Sequence, residues 1–155
     1  GENTLLDSNV NGIVIRTSWL YSSFGSNFVK TMLRLGDERT ELGVIFDQIG
    51  TPTYAKDLAK LCLDILSQND MLNKNGKLYH YSNEGAASWY DFAKAIMEIN
   101  EIDCEIKPIE TKEYPTPAKR PLYSILNKNK IKKDFNVEIP YWRDSLNHCL
   151  IKLKK

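Results

Sequence analysis

Hydrophobic and polar positions follow two different periods along this chain of 155 residues. Apolar residues that recur three and four positions apart share one face of a helix, whereas short β-branched runs indicate strands. The predicted helices cover 2–6, 28–36, 54–68, 89–97, 125–133 and 142–153. The predicted strands cover 12–17, 42–46, 77–81 and 106–109. This alternation of strands and helices predicts an α/β fold.

Local signals refine three of these elements. Gly36 is expected to end its helix, because glycine tolerates the left-handed conformation found at helix ends. Ser88 lies three residues before Asp91, which is the spacing of a capping box at a helix start. Trp89 and Trp142 fall on the apolar faces of their predicted helices, and we expect both side chains in the core.

Composition excludes several classes of protein. The chain is 42% hydrophobic and 26% charged, which is typical of one globular domain. Its 21 basic and 20 acidic residues leave a net charge of +1, too small for a general field that attracts nucleic acid or anionic lipid. No apolar run reaches the ~20 residues of a membrane-spanning helix. Cys62, Cys104 and Cys149 are odd in number and widely spaced, which favours a reducing cytoplasm.

Common catalytic and cofactor motifs are missing from the sequence. No two of the eight glycines lie within six residues of each other, so neither a dinucleotide-binding turn nor a P-loop can form. His80 and His148 are the only histidines, and no zinc-type spacing surrounds them, so we predict no metal site. No G-x-S-x-G nucleophile motif is present.

Two features invite a functional interpretation that the residues themselves do not favour. Tyr90 and Lys94 match the Y-x-x-x-K pattern of proton-transferring tyrosines. They start an amphipathic helix, however, and a solvated pair on its polar side is the favoured interpretation. Lysines also gather towards the C-terminal end, where a solvated helix face is favoured over a nucleic-acid patch because interleaved aromatic residues are missing. These lysines are Lys128, Lys130, Lys132, Lys133, Lys152, Lys154 and Lys155.

Five segments, taken together and in order, resemble the C-terminal half of the dTDP-4-dehydrorhamnose reductase family, within the extended short-chain dehydrogenase/reductase superfamily. They are RTSWLY at 16–21, GSNFVKTML at 25–33, DQIGTPTYAKDLA at 47–59, YSNEGAASWYDFA at 81–93 and RPLYSILN at 120–127. The resemblance implies the C-terminal part of a Rossmann-like reductase, that is, a substrate-binding lobe with remnant parallel strands. Residues 1–22 would be the remnant of the nucleotide-binding domain, and 23–155 mainly the substrate-binding lobe.

The resemblance also implies what this chain does not carry. In the family, the glycine-rich cofactor turn and the catalytic Tyr-x-x-x-Lys precede a Gly-Glu pair that is similar to Gly1-Glu2. We therefore expect no catalytic residue here, and no tightly bound cofactor. NADPH or NADH would act in the full-length enzyme.

Two residues are candidates for contact with the diphosphate of a sugar nucleotide, although Arg120 could also be an ordinary surface arginine. Arg120 is the stronger candidate, because a guanidinium binds phosphate oxygens bidentately and Pro121 stiffens the backbone beside it. Residues 111–121 hold three prolines, which precludes a regular helix there. Asn27 lies at a helix start, where it could donate to a phosphate or cap the helix.

Four more residues complete the candidate site. Trp19 follows the strand at 12–17, at the strand end where ligands of open α/β sheets bind, and could pack on the sugar or nicotinamide or lie buried beneath the loop. Gln48 is a loop amide that could contact the nucleotide or stabilise a turn. Thr17 and Ser18 resemble the segment that passes the nicotinamide in this superfamily.

The implied function is the binding of a dTDP-sugar for NADPH-dependent reduction of its C4 ketone, with the isolated chain inactive. The alternative is a non-catalytic binding or regulatory module of the same superfamily. A missing N-terminal half and a second copy of the chain are the expected partners, with no nucleic acid and no membrane. The strand at 12–17 would expose an unpaired edge and apolar surface, which favours self-association or pairing within the chain.

Overall fold

A computed structural model describes residues 1–8, 12–68 and 77–154. Its helices are α1 (Glu2–Leu6), α2 (Phe28–Glu38), α3 (Ala55–Leu66), α4 (Trp89–Asn100), α5 (Asn129–Phe135) and α6 (Trp142–Leu153). Its strands are β1 (Ile13–Arg16), β2 (Leu20–Tyr21), β3 (Glu41–Ile45), β4 (Ile49–Gly50), β5 (Thr53–Tyr54), β6 (Lys77–His80), β7 (Ala87–Ser88) and β8 (Glu105–Ile109). A 3₁₀ turn covers Thr111–Glu113. The predicted α/β class is confirmed.

The strands associate in pairs, and most of the pairs are parallel. β1 runs parallel to β6 with Ile13 opposite Lys77, and β3 runs parallel to β8 with Glu41 opposite Glu105. The two-residue strands β2 and β5 are also parallel, whereas β4 and β7 are antiparallel. Parallel partners need a crossover between them, and helices supply much of that connection here.

Strand β1 has one strand partner among the described residues, the parallel strand β6. Its Ile13, Val14 and Ile15 side chains are half-buried. The pairing joins the predicted 1–22 remnant to the predicted 23–155 lobe, and the division between them stays a prediction. The other edge of β1 keeps backbone groups that a further strand would satisfy.

Two hydrophobic clusters form the core. The larger cluster lies among α2, α4, α6, β3 and β8, and includes Phe92, Ile96 and Leu146 with no exposed surface. The second cluster lies among α3, α5 and β6, and includes Ile65 and Ile131. Trp142 is buried in the larger cluster, as its helix pattern predicts.

The helix boundaries show which local signals hold. The capping box is confirmed, because Ser88 and Asp91 hydrogen-bond each other's backbone N–H groups. The prediction that Gly36 ends its helix is wrong. α2 continues to Glu38, and a Cβ on Gly36 would lie 2.7 Å from Sδ of Met97. Glycine is used there for the close packing of α2 on α4.

The helix predicted at 125–133 begins later, at Asn129. The chain before it pairs with β4 in the manner of a strand, since Tyr123 bridges Ile49 and the N–H of Ser124 donates to the carbonyl of Ile49 at 2.8 Å. Oδ1 of Asn127 then accepts from the N–H of Asn129 at 2.9 Å. Pairing with β4 thus ends at Ser124, and regular helix begins only after the turn that Asn127 makes with Asn129.

The solvated role predicted for the C-terminal lysines is wrong for Lys128. This side chain is 8% exposed, and its Nζ donates to the carbonyl of Asn83 at 2.9 Å. The same Nζ lies 3.3 Å from a carboxylate oxygen of Glu84, which also pairs with Lys132. Burial is tolerated because the ammonium is both hydrogen-bonded and ion-paired. Lys155 lies outside the described residues.

A buried polar centre at Asn83 joins several elements. Its Oδ1 accepts from the N–H of Tyr54 at 2.8 Å. Its Nδ2 donates to Oδ2 of Asp57 at 2.8 Å and to Oγ of Ser145 at 2.9 Å. Asn83 has no exposed surface, so these bonds fix the start of α3 against α6 without competition from water.

We predict that Asn83→Ala lowers the free energy of unfolding by roughly 2–4 kcal/mol, because it leaves buried donors and acceptors unpaired. Urea unfolding followed by circular dichroism measures the change. Asn147→Ala, on an exposed position of α6, is the matched control and should change stability by less than about 0.5 kcal/mol. Equal effects of the two substitutions would contradict the structural role of Asn83.

Candidate functional site

Two stacked indoles mark the centre of the candidate site. The rings of Trp19 and Trp89 have centroids 3.6 Å apart and planes inclined by 10°. Phe28, at the start of α2, contacts Trp89 with ring centroids 4.7 Å apart. The loops before β2 and α2 therefore meet at the first residue of α4.

Trp89 packs against the larger core cluster, as predicted, but its side chain is half-buried rather than fully enclosed. It also covers one face of Trp19. A helical period predicts which face of α4 is apolar, but it does not show that the first residue of that face also supports a distant loop. The stack needs residues 70 positions apart, and no local pattern indicates it.

The backbone of Trp19 is strained. Its φ is +47°, in the left-handed region that bulky residues rarely occupy. This conformation costs about 1–2 kcal/mol for a residue with a Cβ. An aromatic pair contributes about 0.5–1.5 kcal/mol beyond its buried area. The two magnitudes are similar, so the stack on Trp89 offsets most of the strain.

Backbone hydrogen bonds hold the loop around Trp19 against the next segment of chain. The carbonyl of Trp19 accepts from the N–H of Thr53 at 3.1 Å. The hydroxyl of Ser18 donates to the carbonyl of Thr51 at 3.1 Å. Thr17 is exposed at the end of β1. The two predicted cofactor-contacting residues are therefore neighbours of Trp19, and the hydroxyl of Ser18 is already engaged.

Gly50 provides the space that Trp19 occupies. A Cβ at this position would lie 2.6 Å from Cε2 of Trp19 and 2.8 Å from Oγ of Ser124. Both distances are shorter than any normal contact, and the indole is rigid. The DQIGTP segment therefore requires glycine at position 50 because a tryptophan packs directly against its backbone.

Residues 112–121 form an exposed strap whose two ends are attached to the same short segment. At its start, the N–H and hydroxyl of Thr111 donate to the carboxylate of Asp47 at 3.0 and 2.7 Å. At its end, the N–H of Ile49 donates to the carbonyl of Leu122 at 2.8 Å. Every residue of the strap is exposed. Both ends are thus held within three residues of Gly50.

The hydrogen bonds at the start of the strap have an electrostatic consequence. The hydroxyl of Thr111, and with it the N–H of the same residue, lowers the pKa of Asp47 below its ordinary value. Asp47 is therefore ionised at neutral pH, where its carboxylate accepts these bonds. Gln48 is 4% exposed and donates from Nε2 to Oγ1 of Thr111 at 3.1 Å. Of the two roles predicted for Gln48, this contact matches the structural one.

Arg120 lies near the end of the strap, with an exposed side chain. Within residues 1–8, 12–68 and 77–154 it makes no ion pair. Its neighbour Pro121 leads into the backbone pairing of Leu122 with Ile49. The guanidinium is thus carried by a chain segment that is fixed on its C-terminal side, and it is exposed to any anion that approaches.

Asn27 caps α2. Its Oδ1 accepts from the N–H of Lys30 at 3.3 Å, and its Nδ2 donates to the carbonyl of Ser22 at 2.7 Å. The cap is one of its two predicted roles, and the phosphate role stays a prediction. Asn27 is connected to the rest of the site through Phe28 and its contact with Trp89.

Tyr90 and Lys94 do not form a catalytic arrangement with the site. Lys94 is exposed, as predicted, but the prediction that Tyr90 lies on the solvent side is wrong, because Tyr90 is half-buried against the larger core cluster.

All three cysteines are free, and burial raises the pKa of Cys149 to about 11. Across the described ranges, no group of three or more histidine, cysteine, aspartate or glutamate side chains is placed to share a metal ion.

The described residues also contain no helix of the length and apolar character that crossing a bilayer requires. Among the described residues, two of the cavities have walls that do not include Trp19. The larger, of about 390 Å³, adjoins β6 and is lined by Leu78, His80 and Lys130 among others. The smaller, of about 160 Å³, lies between Asp57 and Glu138. Neither is lined by a predicted site residue.

Parallel strand pairs, flanking helices and loops gathered around one strand end define a lobe of a Rossmann-like α/β protein. Residues 1–155 match the family model described as RmlD substrate binding domain, and the chain belongs to that family. The resemblance drawn from the five sequence segments is confirmed.

Similar proteins support the same assignment. The chain is 40% identical over 150 residues to the spore coat polysaccharide biosynthesis protein SpsK of Bacillus subtilis, covering 97% of this chain and 50% of that protein. It is 39% identical over 153 residues to a dTDP-4-dehydrorhamnose reductase of Sinorhizobium fredii, covering 94% and 51%. The chain spans about half the length of the curated relatives it matches.

A solved structure shows the fold directly. The crystal structure of dTDP-4-dehydrorhamnose reductase from Bacillus anthracis, in complex with NADP, matches with a TM-score of 0.83 and 39% identity. The match covers 90% of this chain and 48% of that one. The predicted Rossmann-like, short-chain reductase type of fold is therefore confirmed.

We predict that Gly50→Ala lowers the free energy of unfolding by roughly 1–3 kcal/mol, since the added methyl group collides with a rigid indole and displaces it. Urea unfolding measures stability, and the circular dichroism band of coupled indoles measures the stack. Gly12→Ala is the control, because its Cβ would meet only Leu5 at an ordinary 3.7 Å. A Gly50→Ala variant with unchanged stability and an unchanged indole band would show that Trp19 does not pack as described.

Proposed function

We propose that this chain is the substrate-binding portion of a dTDP-4-dehydrorhamnose reductase. It binds dTDP-4-dehydro-L-rhamnose, whose C4 ketone the whole enzyme reduces with NADPH to give dTDP-L-rhamnose. The observation that carries the proposal is the convergence of Trp19, the Gly50 segment and the Arg120 strap at one place. Membership of the RmlD substrate binding domain family and the named reductase relatives support it.

The chemistry of the converging groups fits a sugar nucleotide. The guanidinium of Arg120, exposed and without an ion pair in the described part of the chain, offers a planar pair of donors that matches the oxygens of a diphosphate. One face of Trp19 is covered by Trp89, so its other face or its edge is the apolar surface left for a sugar ring or base. Gln48 and Asn27 support the strap and the α2 loop on either side of this surface.

Reduction of a ketone requires a hydride for carbon and a proton for the developing alkoxide. NADPH supplies the hydride when bound, and a relative was crystallised with NADP. The glycines of this chain are too far apart to form the turn that holds the cofactor pyrophosphate. Thr17 and Ser18 are proposed to pass the nicotinamide side, while the remaining cofactor contacts and the proton donor come from the partner portion.

The second edge of β1, opposite β6, is the proposed meeting point with that partner portion. The half-buried Ile13, Val14 and Ile15, and an edge with no strand partner among the described residues, suit the addition of a parallel strand. Residues 1–22 would then complete the sheet of the nucleotide-binding domain, and 23–155 would form most of the substrate lobe. Without the partner portion, the same edge favours association between two copies of the chain.

A non-catalytic binding module is the alternative within the same superfamily. Both interpretations use the fold and the sugar-nucleotide site, and they differ in whether the partner portion carries the cofactor turn and the Tyr-x-x-x-Lys pair. The sequence of the natural partner portion separates them. A glycine-rich turn and a Tyr-x-x-x-Lys pair in that portion support the enzyme, and their absence supports the module.

We predict that Arg120→Ala weakens the binding of dTDP by roughly 10- to 100-fold, the cost of losing charge-assisted bonds to phosphate. Isothermal titration calorimetry of the chain with dTDP measures the dissociation constant. The affinity of Arg120→Lys should lie between those of the wild type and Arg120→Ala, because lysine keeps the charge but not the paired donors.

Arg39→Ala is the control for this titration, since Arg39 is an exposed arginine at the opposite end of α2 from Asn27. It should leave the dissociation constant unchanged. An Arg120→Ala protein that binds dTDP as tightly as the Arg39→Ala control would remove Arg120 from the site.

We predict that the 155-residue chain alone does not oxidise NADPH in the presence of dTDP-4-dehydro-L-rhamnose, because it holds neither the cofactor turn nor the proton donor. The absorbance of reduced nicotinamide measures turnover, with a full-length reductase relative as the positive control. Steady NADPH consumption by this chain alone, at a rate proportional to its concentration, would overturn the proposed division of labour.

A further inference from the structure

We infer that Trp89 is a positioning residue of the sugar-nucleotide site, which holds the indole of Trp19 in the orientation that meets the ligand. The inference rests on the proposed function and adds to it a residue that contacts no substrate itself. Its basis is the geometry of three aromatic rings and one strained backbone.

The backbone alone does not hold Trp19 in place. Its φ of +47° is unfavourable for a tryptophan, and relaxing to the negative φ region would swing the ring away. The stacked ring of Trp89, 3.6 Å away, is the contact that disfavours this relaxation. The backbone of Gly50 limits movement of the ring on another side. Because glycine has no side chain, this backbone lies directly against the indole.

Trp89 is suited to this task because its own position is rigid. It is the first residue of α4, whose start is fixed by the capping box between Ser88 and Asp91. Phe28 packs on its ring and also stacks on the buried Phe92, with centroids 5.4 Å apart. The contacts of Phe28 with Trp89 and with Phe92 therefore connect the ring that supports Trp19 to the larger core.

The same contacts couple two parts of the site. Phe28 follows Asn27, the cap of α2, so the α2 loop and the Trp19 loop share Trp89 as their common support. A ligand that contacts both loops meets a surface that is formed in advance, which reduces the ordering cost of binding. The start of α2 has two further supports, the Asn27 cap and the stacking of Phe28 on Phe92, so we expect removal of Trp89 to weaken binding mainly through Trp19.

A double-substitution cycle tests this dependence. Trp89→Leu keeps apolar volume and removes the stack, Trp19→Leu removes the ligand contact, and the third variant combines both. Titration of the wild type and of the three variants with dTDP gives the four dissociation constants of the cycle. We expect each single change to weaken binding about tenfold, and the double change about tenfold rather than a hundredfold, because the second loss is already contained in the first.

Two further readouts separate positioning from a merely structural role. Trp89→Phe should restore most of the dTDP affinity, because a smaller ring can still stack on Trp19. The circular dichroism band of coupled indoles should vanish in Trp89→Leu, while urea unfolding confirms that the variant is folded. Should Trp89→Leu not fold, Trp89→Met, which keeps apolar volume and removes the ring, takes its place in the cycle.

The outcomes distinguish this inference from the proposed function. Additive losses, or a Trp89→Leu chain that binds dTDP as tightly as wild type while Arg120→Ala does not, would overturn the inference and leave the proposed function standing. A wild-type chain that binds no dTDP would overturn both, since Trp19 would then have no nucleotide to meet.

Discussion

The hydrogen bonds of the buried Asn83 amide are the interactions on which the rest of this lobe depends. This amide holds the N–H of Tyr54, at the end of β5, and the carboxylate of Asp57 in α3. The next N–H back along the chain, that of Thr53, holds the carbonyl of Trp19. The loop that carries Trp19 is therefore held in place by hydrogen bonds to a segment that the buried amide of Asn83 fixes.

This dependence explains how a site made of loops can be well defined. Loops normally vary more than the elements they connect, and here short pairings replace the missing regular structure. The strap is attached at both ends to the segment around Gly50, and that segment pairs in turn with β7. The exposed guanidinium of Arg120 and the side of Trp19 that Trp89 does not cover are the parts that we propose to contact the ligand.

Much of the fold follows from hydrophobic period, because long amphipathic helices such as α3 and α6 bury one stripe and expose the other. The signals that failed share a physical cause, which is contact between distant segments. Gly36 permits close helix packing instead of ending a helix, and the chain just before the predicted helix at 125–133 pairs with β4 through Leu122 and Ser124. Lys128 is buried because Glu84 and a carbonyl receive its charge, an arrangement that composition does not reveal.

The candidate site was predictable to the extent that it is carried by short motifs. Family resemblance indicated Trp19 and Arg120, and chemistry suggested why a diphosphate would need a guanidinium. The supports of these residues, Asn83, Gly50 and Trp89, contribute through burial, lack of a side chain and ring stacking. None of these three properties leaves a repeated pattern in the sequence, because each depends on contact between segments that are distant along the chain.

We propose that a nucleoside diphosphate binds where Trp19, the Gly50 segment and the strap meet. Titrating isotope-labelled chain with dTDP and following ¹H–¹⁵N correlation spectra tests it most directly. We expect saturable shifts of the Trp19 indole N–H and of backbone amides in the strap, with little change around the cavity beside β6. Shifts confined to that cavity, at residues such as Leu78 and Lys130, would contradict binding at Trp19, and so would unchanged spectra.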